Sequence, residues 1–242
     1  MELSFACINN DENKMEQAFK FRYEIFCEEK KFFEKGSFYG AMETDLFDQH
    51  SFHFAAFDQF ENIKGYARLV CHSESGYPMQ HLCPYEITGA RDFIGESSAE
   101  ISRLAIATGF RTFCQNPCMG SAGTAADNKK DYTDLNLPFQ IQIGLYRMIC
   151  AACLQLDIMH LFAVMEKSLY ERLLSRFSLK FEPIGHGFEN HGTVFPFLGS
   201  ISEIEKSLFP EKFSPFQFQD RNAGNFYSDS PFFVASYEKV WA

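Results

Sequence analysis

Apolar and polar positions change period several times along the chain, and these changes predict its elements. Residues 2–8 alternate weakly, as a first strand does. Over 11–30, with Asp11 a suitable N-cap, the spacing turns helical, and Met15, Phe19, Arg22 and Phe26 fall on one stripe. Arg22 is thereby expected on a buried face. The polar, glycine-bearing stretch 32–49 reads as a long loop. Strands at 51–58 and 64–71 follow as a hairpin turning at Glu61-Asn62, and Tyr66, Arg68 and Val70 share one face of the second. Residues 72–98, rich in Gly, Pro and Ser, read as loop with short helical turns, and 99–107 as a strand.

Residues 108–134 read as a mobile insertion. Pro138 then suits the first turn of a helix reaching about 156, whose inner stripe is Ile141, Leu145, Met148, Ile149 and Ala152. A strand at 158–165 precedes a capping box, Ser168 with Glu171, that opens a helix with Leu169 and Leu173 inward. Strands at 179–184 and 193–198 and a helix at 202–208 complete the pattern. Hairpins early and strand–helix–strand units late predict an α/β (α+β) domain over 1–209, built on a mixed sheet. The aromatic-rich tail, 210–242, is expected to pack on it or to stay partly flexible.

Composition narrows the function classes. With 32 acidic against 22 basic residues the net charge is -10, which argues against a broad nucleic-acid face. Local basic spots remain, at Lys30, Lys31 and Lys35 and around Arg111. The 29 Phe suit either an apolar ligand cavity or a phenyl-rich core. Neither a secretory leader nor a run of about 18 apolar residues stands out, so a cytoplasmic chain without a transmembrane segment is expected. Eight scattered Cys read as reduced thiols rather than a disulfide framework.

The candidate chemistry starts at A-E-I-S-R-L-A-I, residues 99–106, a strand that should be dry yet carries Glu100 and Arg103. Arg22 and Arg68 also lie among apolar neighbours, and Asp45 and Asp48 stand in M-E-T-D-L-F-D-Q-H. A buried arginine needs a nearby carboxylate, so three acids (Asp45, Asp48, Glu100) would balance three arginines. On spacing alone, a structural ion network and a reaction centre are equally open. On a regular strand residues 100 and 103 face opposite ways, so a shared site requires a bulge between Glu100 and Leu104.

Over 15–200 the chain resembles the acyltransferases of bacterial exosortase (PEP-CTERM) systems, relatives of long-chain N-acyl amino acid synthases and acyl-homoserine lactone (autoinducer) synthases. The segments that carry the resemblance are F-R-Y-E-I-F-C-E-E (21–29), E-T-D-L-F-D-Q-H-S-F-H-F (43–54), G-Y-A-R-L-V (65–70), A-E-I-S-R-L-A-I (99–106) and M-E-K-S-L-Y-E-R-L-L (165–174), running into F-E-P-I-G (181–185). It implies a splayed mixed sheet similar to that of the Gcn5-related N-acetyltransferases. It also implies a reaction cleft set by Arg22, Phe26, Asp45, Asp48, Arg68, Glu100 and Arg103. The tryptophan that such proteins carry after the first helix is replaced here by Phe32 or Phe33.

The expected reaction moves a long acyl group from an acyl carrier protein thioester to the amine of an amino acid or similar small molecule. An acyl-homoserine lactone synthase and a non-catalytic acyl-binding protein are the alternatives. Glu100 would take the amine proton with Arg103 beside it; Ser102 and Leu104 join the other residues at the substrate, the Leu104 N–H as oxyanion donor. No permanently bound cofactor is expected; the co-substrate is an acyl-phosphopantetheine. Residues 108–118, T-G-F-R-T-F-C-Q-N-P-C, lack the Gln/Arg-x-x-Gly-x-Gly/Ala pyrophosphate loop of CoA users, which favours the carrier protein over acyl-CoA. Metal sites drawn from Asp45, Asp48, His50 and His53, or from Cys114, Cys118, Cys150 and Cys153, are the weaker readings. His186 and His191 read as turn residues.

Overall fold

The computed structural model describes residues 3–84, 87–108 and 137–209. The expected insertion and tail therefore lie outside the described residues. Eight strands form one mixed sheet in the order β1 (Ser4–Cys7), β2 (Ser51–Phe57), β3 (Ile63–Cys71), β4 (Ser98–Ile106), β5 (His160–Glu166), β8 (Thr193–Ser200), β6 (Glu182–Pro183), with β7 (Phe188–Glu189) also paired to β8. Only β4 and β5 run parallel, and the crossover between them carries a helix. The expected strand at 179–184 shrinks to two paired residues, because Leu179 and Phe181 turn inward to the core.

Helix α1 (Glu12–Tyr23) starts where Asp11 accepts the Lys14 N–H at 3.0 Å. The helix does not run unbroken to residue 30. It widens at Glu24–Glu29 into π-type turns, shown by Lys30 N–H donating to Ile25 O at 2.9 Å. The wider turns bury Ile25, Phe26 and Cys27 consecutively. Short helical turns punctuate the loop after it, and α2 (Pro78–Leu82) lies in the stretch before β4. The helix α4 (Lys167–Phe177) begins earlier than the Ser168–Glu171 box implies: Glu166 holds the N-cap position and Ser168 bonds back to it.

Long α3 (Leu137–Gln155), together with α4 and α5 (Ile201–Leu208), covers one sheet face through Ile141, Leu145, Ile149, Leu173 and Ile204. Among the described residues α3 alone has the length and apolarity of a membrane span, yet most of it is buried as this core helix. It packs tightly on the sheet at Gly144, where a β-carbon would meet the buried Phe5 ring at 2.2 Å. Gly144→Ala is expected to cost about 1–3 kcal/mol by overpacking. Chemical denaturation measures this, and an unchanged midpoint would refute the close approach.

The opposite face carries two apolar clusters. One gathers α1 and the π-type segment around Tyr66 and Ala105; the other gathers α2 around Val70, Tyr77 and Phe162. Charged residues fill the space between them.

Candidate active site

Strand β4 is where the sheet departs from regularity. It pairs with β5 only over Ser98–Ile101 against His160–Ala163; beyond those residues the two strands run on unpaired, and the sheet splays. On its other side β4 pairs Ser102 with Arg68 and Ala105 with Tyr66, so Arg103 and Leu104 together oppose Ala67. This is the bulge the sequence requires. Arg103 takes a left-handed backbone, φ 53°, and the following residues change face: Leu104 packs with the α3 side, Ala105 with Tyr66. The extra residue lets Glu100, Ser102 and Arg103 share one face.

The loop before β2 supplies the acids. Glu43 is anchored to α1 by its N–H on Phe19 O at 3.1 Å. Asp45 and Asp48 brace a turn: Asp48 Oδ2 accepts the Asp45 N–H at 2.7 Å, and Asp45 Oδ1 accepts the Phe47 N–H at 3.0 Å. Arg22 donates to Glu43 at 2.5 Å and Asp48 at 2.6 Å. Arg68 donates to Asp45 at 2.5 and 3.0 Å, Asp48 at 2.6 Å and Ser102 Oγ at 2.9 Å. Arg103 grips Glu43 at 2.9–3.3 Å and Asp45 at 2.9 Å, with Phe26 and Phe33 rings 5.7 and 5.0 Å from its guanidinium. Burial raises the Asp48 carboxyl, but Arg22 and Arg68 outweigh it and hold the pKa at about 2.

The charge balance differs from the sequence reading in one member. The third acid facing the arginines is Glu43, not Glu100. A count of buried arginines against the acids of M-E-T-D-L-F-D could have found it, since residue 43 is the one carboxylate of that run left unassigned. Glu100 stands outside the network, opposite Val70 on β3 and Phe162 on β5. Its Oε2 accepts the Met79 N–H of α2 at 2.9 Å. Burial lifts its pKa to about 7, against the lowering effects of Met79 N–H, Arg68 and Arg103.

His53 completes the inner layer. Its Nε2 lies 3.1 Å from the Asp48 carbonyl, an acceptor only, so Nε2 carries the proton and Nδ1 accepts the Tyr66 hydroxyl at 2.6 Å. Burial drops its pKa to about 4 and keeps it neutral. Neither His53 nor the aspartates converge on a point, and among the described residues no three His, Cys, Asp or Glu form a metal cage. Cys150 and Cys153 are buried in α3 with thiol pKa values pushed up by burial; Cys114, Cys118 and Arg111 lie outside the described residues. Phe32 stacks on Phe26 at 6.3 Å and on His191, in the β7–β8 turn, at 4.6 Å, while Phe33 lies against the Arg103 guanidinium. Lys30, Lys31 and Lys35 are exposed, but Lys35 pairs with Glu28 at 3.3 Å and the spot is mixed in sign.

Two of these groups set opposite pH slopes. Glu100 keeps its proton in the folded chain from its ordinary 4.5 up to about 7, so its stabilising contribution is full below 4.5 and lost as pH rises through 7. His53, depressed from 6.5 to about 4, contributes fully above 6.5 and loses its contribution as pH falls through 4. Thermal unfolding should therefore show a plateau between about 4.5 and 6.5, falling on both sides. Glu100→Gln should remove the alkaline fall and leave the His53 rise alone, so that stability climbs from about 4 to 6.5 and stays level above; an unaltered alkaline limb would refute the assignment.

A family model described as "Acetyltransferase (GNAT) domain" matches residues 21–114, less than half of the chain. A search of curated proteins gives no match. Solved structures give many. The CoA-dependent acyl-homoserine lactone synthase BjaI superposes with TM-score 0.62 at 18% identity, over 86% of this chain and 88% of its own. The acyl-homoserine lactone synthase LasI gives 0.58 at 16%, over 86% and 93%. FeeM, an N-acyl amino acid synthase from uncultured soil microbes, gives 0.50 at 14%, over 88% and 100%. With a mixed sheet splayed between β4 and β5 and helices on both faces, the chain has a GNAT-like fold of the autoinducer-synthase kind.

Proposed function

We propose that this protein is an N-acyltransferase that moves a long acyl group from a phosphopantetheine thioester to the amine of an amino acid. The observation that carries the reading is Glu100, a buried carboxyl at the edge of the splay, held by one N–H and on the same face as the bulge. Proton removal from an amine is the step such a group serves. An acceptor ammonium gives a proton to the Glu100 carboxylate, and the freed amine attacks the thioester carbonyl. The C–N bond forms, the Leu104 N–H steadies the oxyanion, and collapse breaks the C–S bond as the thiolate takes the first proton from Glu100; the restored carboxylate then takes the second proton from the new amide nitrogen and releases it to solvent. A carboxyl with pKa about 7 is matched to that shuttle near neutral pH.

The arginine–carboxylate network holds the bulge in place and keeps Arg103 in its left-handed conformation. An acyl carrier protein is the donor we favour, because the pyrophosphate loop of CoA users is missing from 108–118. BjaI, a CoA-dependent synthase with a similar fold, makes acyl-CoA the donor to test beside it. Purified protein incubated with a long-chain acyl carrier protein or acyl-CoA and mixed amino acids should yield N-acyl amino acids by mass spectrometry. Product of equal yield from Glu100→Gln, or none from either donor, would sink the reading.

A further inference from the structure

The Met79 N–H that holds Glu100 belongs to α2, a helix of 5 residues, too short to fix its own position. It lies in the first turn, where an N–H has no partner within the helix, and it donates to Oε2. A carboxyl with one oxygen fixed as an acceptor takes its proton on the other, so the place of α2 decides which oxygen works. What anchors α2 is Tyr77, the residue before it. The Tyr77 hydroxyl donates to Ser98 O at 2.6 Å and lies 2.9 Å from Ser98 Oγ, at the start of β4 and just ahead of Glu100. The ring is fully buried, 5.7 Å from that of Phe162, the β5 residue opposite Glu100. The Tyr77 N–H donates to Gln80 Oε1 at 2.8 Å and closes the first turn of α2. Gly76, with φ 68°, supplies the left-handed residue at the turn into Tyr77.

One tyrosine thus ties the strand that carries the carboxyl to the helix that holds it. Resting on the reading of Glu100 as the proton acceptor, we infer that Tyr77 is a positioning residue: by fastening α2 to the start of β4 it keeps the Met79 N–H on Oε2 and leaves Oε1 for the amine. Burial pushes the Tyr77 hydroxyl up, so it stays neutral wherever Glu100 titrates. The hydroxyl bonds Ser98 and Gly95, not the carboxyl, and its effect passes through the helix. The charges that face Glu100 are Arg68 on β3, Arg103 on its own strand and Asp45 of the loop, while β5 sets Phe162 against it. None of these is a partner of the Tyr77 hydroxyl, so deleting that hydroxyl acts on the Met79 bond. An N–H on a carboxylate favours the ionised form, and loosening it raises the pH at which Glu100 ionises.

The test is Tyr77→Phe, which keeps the buried ring and deletes the hydroxyl. The ionisation of Glu100 is followed by infrared difference spectroscopy, with Glu100→Gln identifying the carboxyl band, and this needs no turnover. In Tyr77→Phe the midpoint should rise from about 7 by at least about 0.5, roughly a threefold change in the ionisation constant, and the inflection of kcat against pH should rise with it. Should Tyr77→Phe fail to fold, Gln80→Ala carries the same test, since it frees the Tyr77 N–H from a half-buried side chain. Gly144→Ala, which strains the core on the other sheet face, is the control and should lower stability with the midpoint unmoved. A midpoint that stays near 7 in Tyr77→Phe, or that moves as far in Gly144→Ala, would mean a merely structural tyrosine and overturn the inference; product from the native chain would then leave the acyltransferase reading standing. A raised midpoint in Tyr77→Phe alone, with no product from the native chain and either thioester, would keep Tyr77 as the residue that positions Glu100 and sink the acyltransferase reading. Neither shift nor product would sink both.

Discussion

Glu100→Gln is expected to cut turnover by about 10²–10⁴-fold, the usual worth of a positioned general base. The substitution keeps the shape of the side chain and an oxygen for the Met79 N–H, so the bond that orients residue 100 survives. What disappears is the group that accepts a proton. In the native chain the rate should climb with pH through about 7 and then level off, because the carboxyl must ionise before it can act as a base. In the variant that rise should vanish along with most of the rate. A profile that keeps its inflection in Glu100→Gln would assign the proton transfer to another group. Thermal unfolding near pH 4 should show the variant as stable as the native chain, since residue 100 is then neutral in both, folded or unfolded.

The sequence made the alternation of the strands legible, and with it the mixed sheet and the two buried arginines Arg22 and Arg68. Spacing placed them on apolar stripes, and no partner needed to be known. The bulge was legible for a different reason: two charges three residues apart could share a site only if the strand gained a residue. Glu43 was not legible in this way, because it lies in a loop without periodicity and its role is fixed by folding back onto α1 and β4. The helix break at Glu24–Glu29 was equally hidden, since E-I-F-C-E-E continues a helical pattern and only tertiary packing selects the wider turn. The roles of Glu100 and Arg103 rested on the family resemblance more than on spacing, and the geometry divides them: one is a lone buried carboxyl, the other a member of the ion network.

The largest loss of stability is expected from Glu43→Gln. Glu43 is 1% exposed and is the carboxylate shared by Arg22, with no exposure, and Arg103. The isosteric amide keeps the volume but removes the charge, and it turns an amide NH₂ or a weaker carbonyl toward two guanidinium groups. The balance of three cations and three anions becomes an excess buried cation, a change that costs about 3–5 kcal/mol when one partner of a buried pair is lost. For a chain of this size that is a fall in Tm of roughly 6–20 °C. The exposed pair Lys20–Glu16, at 55% and 54%, is the control: Glu16→Gln removes the same charge and should cost less than about 1 kcal/mol. Equal effects at the two positions would mean that the network is solvated and contributes little. A double-mutant cycle with Arg103→Gln locates the energy, because the double variant removes one charge of each sign. Its loss should be smaller than the sum of the two single losses, and additive losses would show that Glu43 acts through Arg22 without help from Arg103.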